Sequence, residues 1–163
     1  MNKTIIGLDN GTSGSIGLIN DNAVVFIPTP IKTEQDYTKK KKNISRLDVE
    51  KFKSFLEKYT KEKPLCIMER PLVNPKMFST TGVALRCFEA ELCILESLKI
   101  SHIFIDSKEW QRKILPAGIK GSKELKKASL DIGLRLFPQF EKEIKKQRDA
   151  DGLLIAYYYY HCF

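Results

Sequence analysis

The chain has 163 residues, 42% of them hydrophobic, which predicts one domain, residues 1–163, with a sizeable core. Its net charge of +8 is consistent with a polyanionic partner, nucleic acid first, although charge alone leaves an ordinary basic protein equally open. No apolar stretch is long enough to cross a membrane, no signal-peptide pattern is present, and four cysteines without paired spacing are typical of reduced core residues. We therefore expect a cytoplasmic protein without a zinc site or disulfides.

The first part of the chain is predicted to form strands, because Ile, Val, Leu and Phe dominate it and Asp21-Asn22 is a hairpin turn signal. The predicted strands cover residues 3–9, 14–20 and 22–28. The polar segment 29–45, with consecutive lysines at 39–42, is predicted to be a solvated loop, and contact with phosphate is an equally open alternative.

The middle of the chain alternates helices and strands. A helix is predicted from Leu47 to Thr60 with Ser45 as its cap, because its apolar residues recur at helical spacing. A strand at 64–69, an irregular loop at 71–75 and a long helix from Met77 to Leu98 follow.

The last part begins with a strand at 100–105 and continues as helices. Asp106 or Ser107 is expected to cap a short helix through residues 110–115, a further helix covers 123–136, and the last helix runs from near Arg148 to about His161. An antiparallel start followed by strand–helix alternation predicts an α/β fold, a mixed sheet with helices on both faces.

Acidic residues stand at the ends of two predicted strands and at the start of the last helix. Asp9 closes the first apolar run, Glu69 closes a later one, and Asp149 and Asp151 open the last helix. A charge at the end of a buried strand is costly unless something pairs with it. Strand ends on one side of a sheet bring such residues together, and oxygen-rich clusters suit Mg²⁺ or Mn²⁺.

Taken in order, four segments resemble the ribonuclease H-like superfamily and, within it, RuvC-type Holliday-junction resolvases, especially the compact phage-borne branch. The matching segments are Ile5–Asp9, Ile67–Pro71, the basic stretches Asp106–Lys113 and Gly118–Lys123, and Asp149–Ala156. The resemblance implies a mixed five-stranded sheet and two-metal-ion hydrolysis of phosphodiester bonds in Holliday junctions or related branched DNA. It also implies Mg²⁺, replaceable by Mn²⁺, a homodimer, and the bacterial host cytoplasm if the protein is phage-encoded.

In this reading the four acids are both the catalytic and the metal-binding residues. Asp9 would contact both ions, Glu69 would bridge them or orient water, and Asp149 and Asp151 would hold one ion. The chain departs from the resemblance at two positions. Arg148 stands three residues before Asp151, where the family often has an acid, so Asp149 would replace it from a non-helical first turn. Asn10 follows Asp9, where a small residue is expected.

The alternative for the acids is structural: Glu69 would pair with Arg70 or another base, and the two late aspartates would only cap the last helix.

A basic tract precedes the last helix and is interpreted as a DNA-binding surface, although a solvated helix face explains any single lysine equally well. Its residues are Lys108, Arg112, Lys113, Lys120, Lys123, Lys126 and Lys127. By resemblance, Arg112 and Lys123 approach the scissile phosphate. Leu72, Met77 or Phe78 would wedge against a base at the branch point, with a core position as the alternative for Phe78.

The helix from Met77 to Leu98 is apolar nearly all round, which predicts one face in the core and another in a two-fold dimer. A helix buried within one chain is the alternative.

Two other functions compete with the nuclease. One is a non-catalytic branched-DNA-binding protein of the same fold, which Arg148 favours. The other is a phosphate-binding domain of the actin-like or sugar-kinase type, which the run Gly7–Ser15 resembles, although such a domain has no use for a late acidic helix.

Overall fold

Five strands form one mixed sheet, as predicted. The computed structural model describes residues 3–163, and its central sheet has the order β3-β2-β1-β6-β7. Strand β1 pairs antiparallel with β2 and parallel with β6, so the C-terminal ends of β1 and β6 lie at the same edge of the sheet. The strands are β1 (Ile5–Leu8), β2 (Ser15–Ile19), β3 (Val24–Pro28), β4 (Ile31–Gln35), β5 (Asn43–Leu47), β6 (Leu65–Glu69) and β7 (Ser101–Ile105).

Helices cover both faces of this sheet. They are α1 (Val49–Glu57), α2 (Phe78–Ser97), α3 (Ser107–Ile114), α4 (Ser122–Leu136), α5 (Glu141–Gln147) and α6 (Asp151–Cys162). Alternate residues of a strand point to opposite faces: Ile5 contributes to the core shared with α3–α6, and Ile6 to the core shared with α1 and α2. Within residues 3–163, no helix is both long enough and apolar enough to cross a membrane.

Glycines bring α6 unusually close to β1 and β2. A Cβ atom on Gly7 would lie 2.3 Å from the carbonyl oxygen of Gly152, and one on Gly17 would lie 2.5 Å from the Cα of Leu153. A Cβ on Gly152 itself would lie 2.4 Å from the carbonyl oxygen of Ser15. Because all three neighbours are backbone atoms, no side chain can yield, and only glycine permits this spacing.

We therefore expect Gly152→Ala to lower the free energy of unfolding by about 2–3 kcal/mol, because α6 must move away from the sheet. The matched control is Gly82→Ala in α2, where a Cβ meets nothing within 4 Å, and where alanine should stabilise the helix by roughly 0.5–1 kcal/mol. Urea denaturation of both variants measures the difference. Equal midpoints would contradict the close approach of α6.

The segment predicted to be a solvated loop is instead a β-hairpin. Strands β4 and β5 pair antiparallel as a separate two-stranded sheet. The alternation of apolar residues that marks a strand is missing because most of the hairpin is exposed. Ser45 lies within β5, so the predicted cap of α1 was wrong: the Asp48 side chain accepts a hydrogen bond from the backbone N–H of Lys51 at 3.2 Å.

The predicted last helix is α6, which begins at Asp151 instead of near Arg148, and the short helix α5 before it was not predicted. Arg148 ends α5 in the left-handed conformation, with φ 57°, and α6 begins at Asp151. Ala150 in the turn packs on α4, where a Cβ at Gly133 would lie 2.3 Å from that of Ala150. Asp149 therefore lies in a non-helical turn, as its spacing from Asp151 required.

Helix α2 has the predicted bounds to within a residue at each end. Leu95 is fully buried in the core, whereas Leu92 is partly buried and Leu85 is 42% exposed. Strand β5 packs beside α2. The apolar surface of α2 that remains exposed for a partner subunit is therefore smaller than the composition of the helix indicated.

Candidate metal centre

Asp9 and Glu69 lie side by side at one edge of the sheet. Leu8 pairs with Met68 in the parallel register, so the next residue of each chain segment leaves the sheet at the same edge. The backbone N–H of Asp9 donates to the carbonyl of Ser15 at 3.0 Å, which holds the turn that follows β1.

Asp149 and Asp151 reach this edge through the turn between α5 and α6. The side-chain amide of Gln147 donates to the carbonyls of Ser13 and Gly14, each at 3.0 Å. The N–H of Gly152 donates to the Ser15 hydroxyl at 3.1 Å. These bonds attach the start of α6 to the β1–β2 turn, beside Asp9.

Three of the four predicted acids form a tight cluster. Asp9, Asp149 and Asp151 each offer a carboxylate oxygen, and these oxygens all lie within 4.8 Å of one another. Glu69 lies outside this triad but within electrostatic range, because its charge contributes to the raised pKa of Asp9. Over residues 3–163, no ion pair involves any of the four.

Burial and mutual repulsion raise the pKa values of the cluster. Burial raises the pKa of Asp9 well above its usual range, and the charges of Asp149, Asp151 and Glu69 add to this. The pKa of Asp151 rises to about 7, first through burial and then through Asp149. The pKa of Asp149 also rises through burial, although the Ser15 hydroxyl and the N–H of Asp151 partly oppose this.

Glu69 has a neutral partner. Its Oε2 accepts a hydrogen bond from the indole N–H of Trp110 at 2.8 Å, and burial nevertheless raises its pKa to about 7. Arg70, the ion-pair partner in the structural alternative, instead lies 3.1 Å from Asp106. No other base pairs with Glu69 within residues 3–163, so that alternative for Glu69 is wrong.

The donor set fits a divalent cation. One oxygen of Asp149, Oδ2, is buried and has no hydrogen-bond partner among the described residues. A cluster of carboxylate oxygens with no neutralising base is matched by a hard cation such as Mg²⁺ or Mn²⁺. The same cluster does not suit zinc in a structural site, which favours sulfur and nitrogen donors.

Several supporting residues were not predicted from the sequence. Ser129 of α4 donates to the carboxylate of Asp151, Trp110 of α3 donates to Glu69, and Gln147 holds the β1–β2 turn. The single tryptophan in a stretch of charged residues was a usable signal for a buried contact. A serine inside a helical pattern gives none.

A fifth carboxylate, Glu91 of α2, was also missed. It is 1% exposed, and the thiol of Cys87 donates to its Oε1 at 3.4 Å. Burial raises its pKa to about 8. Its charged form would be a minor contributor to the raised pKa of Asp9.

The predicted DNA-binding side chains are exposed on α3, α4 and the loop between them. They are Arg112, Lys113, Lys120, Lys123 and Lys126. Lys126 is the one that reaches the acids electrostatically, because its charge lowers the pKa of Asp149 and of Asp151. Lys123 precedes it and Ser129 follows it at three-residue spacing, which places the three along one side of α4.

Phe78 begins α2 and is 82% exposed, so the core alternative for it was wrong. Leu72, in the loop after Glu69, is also exposed. These apolar side chains stand on the segment that follows Glu69 in the chain.

Comparison with known proteins finds no match among protein-family models and no similar curated protein. Solved structures do match. RuvC of Thermus thermophilus in complex with a Holliday junction substrate superposes with a TM-score of 0.53 at 14% identity, covering 96% of this chain and 92% of that one. A second T. thermophilus RuvC structure gives a TM-score of 0.49 at 14% identity, covering 98% and 96%. The first of these matches shows that the chain has the predicted RuvC-type, ribonuclease H-like fold.

Proposed function

We propose that the protein is a metal-dependent endonuclease that cleaves Holliday junctions or related branched DNA. The observation that carries the proposal is the cluster of Asp9, Asp149 and Asp151, with Glu69 beside it and no ion-pair partner among residues 3–163, at one edge of a RuvC-type sheet. The raised pKa values of these buried acids mean that the metal-free site is electrostatically unfavourable when they are ionised.

Asp9, Asp149 and Asp151 would hold the metal, with Glu69 beside them. Bound Mg²⁺, or Mn²⁺ in its place, would supply Lewis-acid stabilisation of the phosphate and activation of water. The chain itself fixes the acids: Ser129 orients Asp151, and the Trp110 indole orients Glu69.

The basic side chains around this edge would bind the phosphate backbone of the DNA. Lys126 and Lys123 on α4 would approach phosphates nearest the acids, and Arg112, Lys113 and Lys120 would extend the surface along α3 and the following loop. Exposed Phe78 would insert at the branch point, as apolar side chains do when they unstack bases. The RuvC–junction complex, which has the same fold, supports this choice of substrate.

A homodimer would place two such centres on symmetry-related strands. In α2, Leu85 and Leu92 are the candidates for the interface, because Leu85 is exposed and Leu92 is only partly buried, whereas Leu95 lies in the core. The dimer stays a prediction, and sedimentation at micromolar concentration measures it.

A non-catalytic branched-DNA-binding protein is the second candidate. Arg148 occupies the position three residues before Asp151, which favours a site that has lost a ligand. The proximity of Asp149 to Asp9 and Asp151 instead favours a replacement ligand.

A cleavage assay and a metal titration distinguish the two functions. Purified protein with Mg²⁺ should cleave a labelled four-way junction in preference to a fork or a linear duplex, and chelation by EDTA should stop cleavage. Calorimetric titration with Mg²⁺ or Mn²⁺ should detect binding. Junction binding without cleavage and without metal uptake would establish the non-catalytic alternative.

A further inference from the structure

The β4–β5 hairpin concentrates positive charge outside the site described above. Residues 31–47 include six basic and two acidic residues, a net charge of +4, which is half of the +8 of the whole chain. The hairpin is a separate two-stranded sheet with most of its surface exposed. Its charge therefore faces outward.

The tip of the hairpin is an ordered turn. The N–H of Asp36 donates to the carbonyl of Lys42 at 2.7 Å, and the N–H of Lys41 donates to the carbonyl of Thr38 at 3.0 Å. The carboxylate of Asp36 accepts from the backbone N–H and the hydroxyl of Thr38, at 3.1 and 2.8 Å. Lys41 takes the left-handed conformation, with φ 46°, that this turn requires. The lysines at 39–42 therefore project from a turn whose backbone is held by hydrogen bonds.

The acidic residues of the hairpin do not neutralise the tip. Glu34 lies 2.6 Å from Lys32 and 2.9 Å from Arg46, so it is matched within the stem, and Asp36 bonds to Thr38. Within the described part of the chain, the lysines at 39–42 take part in no ion pair. Tyr37, beside them, is 85% exposed and offers a hydroxyl.

The base of the hairpin lies at the same edge of the sheet as the acids. Pro28 at the end of β3 pairs with Ser15, and the N–H of Thr29 donates to the carbonyl of Gly14 at 3.0 Å. The N–H of Asp48 donates to the carbonyl of Pro30 at 2.8 Å, which closes the base. Strands of this length extend about 17 Å, the span of about five base pairs of duplex DNA.

We propose that the hairpin tip binds the phosphate backbone of a duplex arm of the branched DNA, beyond the reach of the metal site. Lys40, Lys41 and Lys42 would neutralise phosphates, and Tyr37 would donate a hydrogen bond to one. The inference rests on the proposed function for its DNA substrate. Among polyanions, DNA is favoured over an acidic protein surface because the hairpin is rooted at the edge that holds the nuclease residues.

The test compares two triple variants that lose the same charge. Lys40, Lys41 and Lys42 become Gln in the first, and Lys58, Lys61 and Lys63 become Gln in the control. The control lysines are exposed at the opposite edge of the sheet, and each set contains one left-handed lysine, Lys41 or Lys63. Junction affinity is measured without cleavage, in Ca²⁺, at several salt concentrations, with circular dichroism as the check of folding.

We expect the hairpin variant to bind the junction on the order of tenfold to a hundredfold more weakly, and its plot of log affinity against log salt to be shallower by about 2 to 3. The control should match the wild type. If the wild type binds and cleaves the junction but the hairpin variant has the same affinity and salt dependence as the control, the hairpin inference alone is overturned. Loss of self-association without loss of the salt slope would assign the tip to a second copy and overturns it too. A wild type that binds no junction overturns both proposals.

Discussion

Replacing Asp9 by Asn, or Glu69 by Gln, is expected to abolish junction cleavage, with a loss of at least about 10³-fold. Metal-ion stabilisation of a developing phosphate charge contributes several kcal/mol, and each 1.36 kcal/mol is tenfold in rate. Both residues lie at the ends of neighbouring parallel strands. Because Asn and Gln have nearly the same size and shape as Asp and Glu, the substitutions should preserve the fold. Single-turnover cleavage of a labelled four-way junction measures the effect.

Junction affinity should stay the same or rise slightly in both variants, because removing a negative charge beside phosphates removes repulsion. The matched controls are Asp131→Asn and Glu124→Gln, which make the same changes at exposed positions of α4. Wild-type cleavage by either site variant would reject the metal-site assignment. Equal loss in the controls would show a general effect of charge.

The metal-free protein is expected to lose stability as pH rises from about 5 to 8, and Mg²⁺ should restore it. Glu69 and Asp151 have folded-state pKa values of about 7, above the usual values of 4.5 and 3.8 for these groups. In this window the folded state therefore binds more protons than the unfolded state. The contribution of these two protonated acids to stability is fully present below their unfolded-state pKa values, and it is lost as pH rises through their folded-state pKa values.

The contribution of Asp151 can be isolated with Asp151→Asn. The variant should gain about 2 kcal/mol relative to the wild type on going from pH 5 to pH 8, because its amide cannot ionise. Urea denaturation in EDTA at both pH values measures this. At pH 8, Mg²⁺ at a hundred times its dissociation constant should stabilise the wild type by about 2.7 kcal/mol. A stability difference between the two proteins that does not change with pH would contradict the burial of an unpaired acid.

The sequence predicted the sheet and all four acids, and for the sheet, Asp9 and Glu69 a local pattern was enough. A short apolar run ending in a carboxylate marks the end of a buried strand, and parallel neighbours place two such ends together. Asp9 and Glu69 follow from that rule alone. Asp149 was harder, because its spacing from Asp151 does not fit one face of a helix. The break at Arg148, which the hydrophobic pattern did not reveal, resolves this.

The remaining features depend on tertiary contacts that leave little local signal. The β4–β5 hairpin is held by its strand pairing, its turn and ion pairs, and most of it is exposed. Its sequence therefore lacks the alternating apolar residues by which a strand is predicted. Glu91 shares α2 with Glu89 and Glu96, which are exposed, and nothing in the spacing separates the buried carboxylate from the exposed ones. Ser129 becomes significant only because α4 crosses the start of α6.

The glycine contact between α6 and the sheet also has a consequence for the order of folding. Gly152 meets Ser15 across 137 positions of sequence, and contacts of such long range form late because chain closure must precede them. The β1–β2 hairpin can form earlier with Asp9 still solvated. Docking of α6 then brings two further carboxylates against it, so repulsion opposes this late step at neutral pH. Protons or a divalent cation relieve that repulsion, and the metal centre is completed in the same event that seals the core.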